Sequence, residues 1–234
     1  QIQANGPTYT AGSWRELGPL GQSWEEKTFK WSSSNTVSYY LLEGRLTLPN
    51  YQVGTVPYDR NGELNIVDGV PTPTREEEIR FTLTVPSAPP NDGAQCYPII
   101  EYAHGTTGSA YSMVDETAGR LAARGLAAIS IDMPLHGERN AGRTFDENTA
   151  SFNFINPDSA RSMFRQAAID TFALTSFIKS GLRVEAESSP TGSSICFDSS
   201  KIGFFGHSQG AVVSPTFLAT LEEGDLRGVI LSGI

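Results

Sequence analysis

One short stretch of this chain, a serine flanked by glycines, has the residue types and spacing that most directly suggest catalytic chemistry. Residues 206–210 read Gly-His-Ser-Gln-Gly, after a short apolar run over 202–205 and before a helix-compatible segment. A strand, a tight turn and a helix in this order strain the serine backbone and place its hydroxyl at a helix N-terminus, which favours developing negative charge. The motif alone is common in a chain with 23 glycines among 234 residues, so an ordinary glycine-bordered turn is the alternative. The context favours Ser208 as a catalytic nucleophile.

A second glycine-rich stretch lies upstream, where residues 102–108 read Tyr-Ala-His-Gly-Thr-Thr-Gly at the end of a predicted strand. Glycines let such a loop turn its backbone N–H groups toward the serine. Acyl transfer creates an oxyanion, which preorganised N–H donors stabilise. We predict that the N–H groups of Gln209 and Thr106 form this oxyanion hole, with Thr107 as the alternative to Thr106. A simple strand-end turn is the competing interpretation.

The amino-acid composition excludes several classes of protein. The net charge of -9 argues against a nucleic-acid partner, which requires clustered lysine and arginine. No apolar run approaches the length of a membrane span. The two cysteines show no metal-type clustering with histidine, and the sequence implies no metal or cofactor.

Oxygen-bearing side chains at Asp59, Asn61, Glu63 and Asp68 offer a calcium-binding alternative for one loop-rich segment. Their spacing departs from the twelve-residue calcium loop, and Asn61-Gly62 is more simply a hairpin turn.

The pattern of apolar residues predicts an α/β fold. Residues 1–35 are interpreted as an N-terminal extension, in which Trp14, Trp24 and Trp31 are expected to be buried; residues 36–234 form one domain. Two strands over 37–48 and 78–86 are predicted to be antiparallel, and strand–helix alternation from residue 97 indicates a mainly parallel sheet. The elements predicted there are strands over 97–103, 126–131, 202–205 and 228–232, and helices over 115–124, 158–179 and from the serine to about residue 223.

Three motifs in order resemble those of serine hydrolases of the α/β-hydrolase superfamily, in particular bacterial secreted esterases and lipases. They are His104-Gly105-x-x-Gly108, Asp132-Met-Pro-Leu-His-Gly137 and Gly206-x-Ser208-x-Gly210. The resemblance covers roughly residues 36–234 and implies an eight-stranded sheet whose first strands are antiparallel. It also implies hydrolysis of a small ester or lipid through an acyl-enzyme on Ser208. A non-catalytic module that binds an apolar ligand or partner, or a peptidase or thioesterase, is the alternative.

The resemblance also implies partners for the serine. The superfamily orders its triad as serine, acid and histidine, whereas this chain stops at Ile234, after the strand that follows the serine. The domain is therefore expected to be incomplete, with the acid and the base beyond residue 234 or in a second chain. His207 is interpreted as structural. His104 and His136 are interpreted as loop anchors, with a direct catalytic role for His136 as the alternative.

The segment between residues 137 and 157 is expected at the carboxyl edge of the sheet, where α/β proteins bind their ligands. Phe145, Phe152 and Phe154 are candidates for an acyl pocket, and packing for a polar loop is the equal alternative.

The two cysteines precede two strands that are parallel neighbours in the hydrolase sheet. Cys96 comes directly before the strand that ends near His104, and Cys196 comes before the serine strand. We predict a Cys96–Cys196 disulfide and a secreted or periplasmic location, which the absence of an initiator methionine at Gln1 would suit. Two free thiols in a cytoplasmic protein are the alternative.

Overall fold

One mixed eight-stranded sheet organises the part of the chain that the computed structural model describes, which is residues 25–30, 36–114 and 116–233. The strands are β1 (Glu25–Lys30), β2 (Thr36–Asn50), β3 (Ile66–Val67), β4 (Val70–Pro71), β5 (Arg75–Pro86), β6 (Tyr97–Ala103), β7 (Ala127–Ile131), β8 (Arg183–Val184), β9 (Ile195–His207) and β10 (Gly228–Ser232). The helices are α1 (Glu116–Ala122), α2 (Glu147–Phe152), α3 (Pro157–Lys179) and α4 (Gln209–Leu218). Short 3₁₀ turns cover Asn91–Gly93, Ala110–Met113, Gly137–Arg143 and Ala186–Ser188.

The strand order in the main sheet is β1-β2-β5-β7-β6-β9-β10, with β8 paired to β9 and β3-β4 a separate hairpin. Pairing is antiparallel from β1 through β7, and β7, β6, β9 and β10 run parallel to one another. The predicted mainly parallel sheet with antiparallel first strands is therefore confirmed. Because β6 and β9 are parallel neighbours, their carboxyl ends meet at the same edge of the sheet, which places the two glycine-rich stretches together.

The sheet begins earlier in the chain than the sequence suggested. β1 comes from the segment interpreted as an N-terminal extension, and it pairs with β2 from Glu25↔Leu41 to Lys30↔Thr36. A short polar strand of this kind carries little periodicity, so only its pairing reveals it. The predicted burial of Trp14, Trp24 and Trp31 concerns positions outside the described residues.

The second half of β5 is buried on both faces of the sheet. Ile79, Phe81 and Leu83 of β5 lie in the main core at 0–1% exposure, as their alternation predicted. Thr82 and Thr84 on the opposite face are buried as well, although the pattern indicated a half-buried strand. The 3₁₀ turn at Ala110–Met113 covers this face, and the Thr82 hydroxyl donates a hydrogen bond to the Ala110 carbonyl.

Helix α3 supplies much of the core on one side of the sheet, and its bounds agree with the prediction to within one residue. It begins at Pro157, whose fixed φ suits the first helical position, and the Asn156 side chain caps it by accepting a hydrogen bond from Ser159 N at 3.3 Å. Its buried face includes Leu174 and Ile178, which pack into the main core. No helix of the described residues is long and apolar enough to cross a membrane.

The segment considered as a calcium loop folds as a hairpin-like turn. Asn61 and Gly62 have φ of 63° and 101°, and the flanking chain pairs through Val53 N to Glu63 O at 3.0 Å. Within the described residues, no group of three or more His, Cys, Asp or Glu side chains could hold a metal ion.

A buried carboxyl group lies between the sheet and α3. Glu101 of β6 is 1% exposed, and one of its oxygens accepts a hydrogen bond from the Thr175 hydroxyl at 2.6 Å. The other oxygen has no hydrogen-bond partner among the described residues. Burial therefore raises the pKa of Glu101 from 4.5 to about 8, and the carboxyl is neutral in the folded protein at pH 7.

We expect Glu101→Gln to stabilise the protein at neutral pH. The folded-state pKa of Glu101 lies above the unfolded one, so the contribution of this group to the stability of the wild type is largest below about pH 4.5 and falls as the pH rises toward 8. The amide mimics the neutral carboxyl and does not titrate, so the variant should gain about 3 kcal/mol over wild type between pH 4 and pH 7.

Urea unfolding of both proteins across this pH range measures the effect. Glu116→Gln, at a carboxylate that is 69% exposed, controls for the change of residue type. A wild-type-to-variant difference that stays constant with pH would contradict the prediction.

Candidate active site

Ser208 occupies the sharp turn between the carboxyl end of β9 and the first residue of α4. Its backbone has φ 51° and ψ −119°, a conformation that is strained for any residue except glycine. The turn is fixed on both sides: Ser208 N donates to Ser232 O of β10 at 2.8 Å, and Ser208 O accepts from Ala211 N and Val212 N at the start of α4. The chain thus presents a half-buried serine at the N-terminus of a ten-residue helix.

The two glycines around Ser208 are required by close packing, as the motif predicts. A Cβ atom on Gly210 would lie 2.2 Å from the carbonyl oxygen of Ala103 in β6. A Cβ atom on Gly206 would lie 2.8 Å from the Ser214 hydroxyl oxygen and 3.0 Å from Ala211 N. Any side chain at Gly210 would push α4 away from the neighbouring strand, so this position needs glycine to keep the turn closed.

The loop that follows β6 lies directly against the serine. A Cβ atom built on Gly105 would be 2.9 Å from Ser208 Cβ, so only a backbone without a side chain fits here. The loop closes through Gly108 N to Gly105 O at 3.1 Å, and Thr107 has φ +64°. Thr106 is half-buried within this loop, whereas Thr107 is exposed. The structure therefore brings the two predicted oxyanion-hole segments together around Ser208.

His104 holds this loop in place. Its Nδ1 lies 2.7 Å from Gly105 O, and its Nε2 accepts a hydrogen bond from Met133 N at 3.1 Å, so the neutral Nδ1–H tautomer satisfies both. Burial lowers the pKa of His104 to about 4, which keeps the ring neutral at ordinary pH. The contacts agree with its interpretation as a loop anchor.

His136 and His207 occupy different environments. His136 is fully buried, its Nδ1 lies 2.8 Å from Pro134 O, and its ring meets that of His104 edge to face with centroids 5.2 Å apart. Burial lowers the pKa of His136 as well. His207 is exposed beside the serine.

Asp132 links the loops after β6 and β7, a role that sequence reasoning missed. Its buried carboxylate accepts from Ala110 N at 2.7 Å and from Glu138 N at 2.9 Å, and it pairs with the Arg80 guanidinium at 3.1 Å. One carboxylate therefore ties the end of the glycine-rich loop to the loop that carries His136. The available signal was an acidic residue at the end of a predicted strand that is apolar except for Ser130.

The three phenylalanines proposed for an acyl pocket are not equivalent. Phe145 is partly buried and packs on a small cluster that includes Tyr58, Leu135 and Met163. Phe152 is 38% exposed and touches Phe164, with ring centroids 6.0 Å apart. Phe154 is 88% exposed and points into solvent. Met163 also approaches the site, because its sulfur lies 3.9 Å from Gln209 Nε2.

A buried ion-pair network anchors the β7 loop to α3 and β5. The Arg139 side chain is 8% exposed, and it reaches Glu77 at 2.7 Å and Asp170 at 2.6 Å. Burial alone would raise the pKa of Glu77, but the positive charges of Arg139 and Arg75 outweigh it and lower that pKa. The guanidinium of Arg139 is thus shared by two carboxylates, and burial still raises the pKa of Asp170.

Arg139→Ala is expected to cost about 3–5 kcal/mol of unfolding free energy, because it leaves Glu77 and Asp170 without this shared cation. The matched control is Arg161→Ala, which breaks an ion pair with Asp158 of the same 2.7 Å length as the Glu77 pair, at a side chain that is 62% exposed. The control should cost under about 1 kcal/mol. Equal losses in the two variants, measured by chemical denaturation, would refute this account of the network.

The strand order, the antiparallel first strands and the strained serine between strand and helix define the α/β-hydrolase fold. No protein-family profile matches the sequence, and no curated protein sequence matches it.

Solved structures of similar fold include esterases and other hydrolases. A cold-adapted esterase from an Arctic intertidal metagenomic library is 18% identical with a TM-score of 0.44, covering 88% of this chain and 64% of its own. An acetyl xylan esterase from Paenibacillus is 16% identical with a TM-score of 0.39, covering 85% and 51%. A glucuronoyl esterase from Teredinibacter turnerae is 10% identical with a TM-score of 0.41, covering 94% and 48%. The chain thus spans between about half and two thirds of the length of these structures, and the likeness concerns the fold alone.

Proposed function

We propose that this chain carries the nucleophile of a serine esterase that hydrolyses carboxylic esters of small molecules or lipids. The observation that supports it most is the placement of Ser208. Ser208 is held in a strained turn at a helix N-terminus, and the glycine-containing loop that follows the neighbouring strand packs against it. Such strain persists only where the surrounding structure imposes it, and it clusters at functional sites.

In the proposed reaction, Ser208 Oγ attacks the ester carbonyl carbon and the carbonyl oxygen becomes an oxyanion. The C–O bond to the alcohol then breaks, and the alcohol leaves with a proton from the general acid. Water attacks the acyl-enzyme in the same way, which releases the carboxylic acid and restores the serine hydroxyl. This chemistry requires no cofactor.

Gln209 and Thr106 are the proposed oxyanion donors. Gln209 is the first residue of α4, where backbone N–H groups have no intrahelical acceptor and the helix dipole favours negative charge. Thr106 follows Gly105, the residue whose backbone lies against Ser208. Thr107 remains the alternative donor, since its positive φ turns the peptide groups on either side of it.

The serine proton must pass to a base. Both ring nitrogens of His104 are engaged in hydrogen bonds, whereas His136 is held only through Nδ1, and its buried Nε2 has no hydrogen-bond partner among the described residues. From the order of the motifs we propose that the histidine and the acid of the triad come from residues beyond 234 or from a second chain, and a catalytic role for His136 is the alternative.

The proposal is tested by fluorophosphonate labelling of the intact protein. Ser208 Oγ displaces fluoride from phosphorus, and mass spectrometry of the digest identifies the modified peptide. Modification of Ser208 is the expected result, and a protein that stays unlabelled would favour a non-catalytic module that binds an apolar ligand or partner.

Nitrophenyl esters of increasing chain length, thioesters and peptide amides then separate the reaction classes. Faster turnover of the esters is expected, whereas preference for an amide or a thioester would reassign the same site to a peptidase or a thioesterase.

We also propose that the protein is secreted or periplasmic. The support is the Cys96–Cys196 disulfide, because such bonds persist in oxidising compartments and are rare in the cytosol of most organisms. Fractionation of the source cells with a cytoplasmic marker enzyme would test the location.

A further inference from the structure

A cleft lined by both charged and apolar side chains lies at the same edge of the sheet as Ser208 but on the antiparallel side. It has a volume of about 370 Å³, within the range of small-ligand sites, and we call it the rim cleft. The chain after β2, the start of β5 and the loop after β7 form its walls. These segments meet because Asn50 of β2 pairs with Arg75 of β5, and β5 runs antiparallel to β7.

The charged groups in the rim cleft are already matched. Arg75 contacts Glu77 at 2.7 Å and donates to the Tyr58 hydroxyl at 2.6 Å. Arg139 is held between Glu77 and Asp170, and Glu138 pairs with Arg80 at 3.1 Å and with Arg45. Two arginines and three glutamates line the cleft, so among the described residues no cation of the lining is left for an anionic ligand.

The ion-paired side chains of the rim cleft still present hydrogen-bonding atoms to solvent. The side chains of Glu78, Glu138 and Arg75 are 48%, 41% and 33% exposed, and their ion pairs hold them in place. A ligand with several hydroxyl groups can donate to the carboxylates and accept from the guanidinium without bringing a charge of its own.

The rim cleft also has an apolar part. Val56 is 45% exposed, and Pro134 and Leu135 form the adjoining wall. Charged groups combined with a larger apolar surface suit a molecule that has hydroxyl groups at its edge and C–H groups on its faces. A sugar ring has this combination, whereas a fatty acyl chain would displace water from the exposed parts of the charged groups without replacing the hydrogen bonds made by that water.

We propose that the rim cleft binds an uncharged sugar unit. The cleft is close to the nucleophile but distinct from it. Tyr58 and Leu135 of its wall pack with Met163 in one cluster, and Met163 contacts Gln209, the neighbour of Ser208. One layer of side chains therefore separates the two sites, so sugar binding is measurable whether or not Ser208 turns over an ester.

Saturation-transfer NMR on the intact protein tests the proposal with methyl β-D-glucopyranoside and methyl β-D-xylopyranoside as probes. Binding is expected for at least one glycoside, and glucuronate, its carboxylate-bearing counterpart, should bind more weakly. Glu78→Ala should weaken glycoside binding about tenfold, the effect of losing a hydrogen bond to a charged group.

Two further variants make the result specific. Thr55→Trp fills the cleft from an exposed position and should abolish the signal. Glu76→Ala changes an exposed glutamate of β5 that does not line the cleft, so it should bind the glycosides like wild type. Thermal melting confirms that each variant is folded. Absence of glycoside binding, undiminished binding by both cleft variants, or stronger binding of glucuronate would each overturn the proposal.

Discussion

Replacement of Ser208 by alanine is expected to lower kcat/KM for ester hydrolysis by about 10⁴-fold or more in the intact protein, while the fold is retained. Without Oγ no acyl-enzyme forms, and only binding and the oxyanion donors can still act on the substrate. The fold should survive because the turn is held by backbone hydrogen bonds of Ser208 to Ser232, Ala211 and Val212, which alanine preserves.

His207→Ala is the matched control for the serine variant. His207 is the adjacent residue and its side chain is exposed, so truncation there alters the same turn without removing the nucleophile. Its activity should stay within a few-fold of wild type. If Ser208→Ala kept its activity, the assignment of the nucleophile would be wrong. A comparable loss in His207→Ala would instead make the histidine part of the mechanism.

Much of the framework around Ser208 was predictable because its causes are local. The strand, the glycines and the helix lie within residues 195–218, and the close approach of Gly210 to Ala103 shows why the motif needs glycine. The strand at Tyr97–Ala103 and the helix at Pro157–Lys179 likewise follow from regular apolar spacing and from the Asn156-Pro157 cap.

Features that depend on contacts between distant segments were harder to predict. Asp132 joins the loops after β6 and β7 through Ala110 and Glu138, and no periodicity marks a residue that acts by accepting backbone hydrogen bonds. The rim cleft combines groups from β2, β5 and the β7 loop, which come together only through strand pairing.

The phenylalanines show another limit of sequence reasoning. Phe145 and Phe154 are the same residue type in one segment, but the first packs against a cluster and the second is 88% exposed. Residue type gives the tendency toward burial, and the course of the backbone before and after α2 sets which ring faces inward.

The Cys96–Cys196 disulfide is the predicted feature that the structure confirms most directly, and it should contribute strongly to stability. The two Cα atoms are 4.7 Å apart, where Cys96 directly precedes β6 and Cys196 lies near the start of β9. The bond closes a loop with a sequence separation of 100 residues. In the chain-entropy account, such a crosslink removes freedom from the unfolded state equivalent to about 4–5 kcal/mol.

The double variant Cys96→Ser/Cys196→Ser is therefore expected to unfold with a free energy about 4–5 kcal/mol lower than wild type, as measured by urea denaturation. Both cysteines are changed together so that no free thiol remains to form other crosslinks. Because the bond lies at the opposite end of β9 from Ser208, kcat/KM below the melting transition should stay close to the wild-type value. Wild type treated with a reductant should match the double variant in stability. Alkylation of both cysteines in the native, unreduced protein would show that the bond is absent, and it would also remove the support for a location in an oxidising compartment.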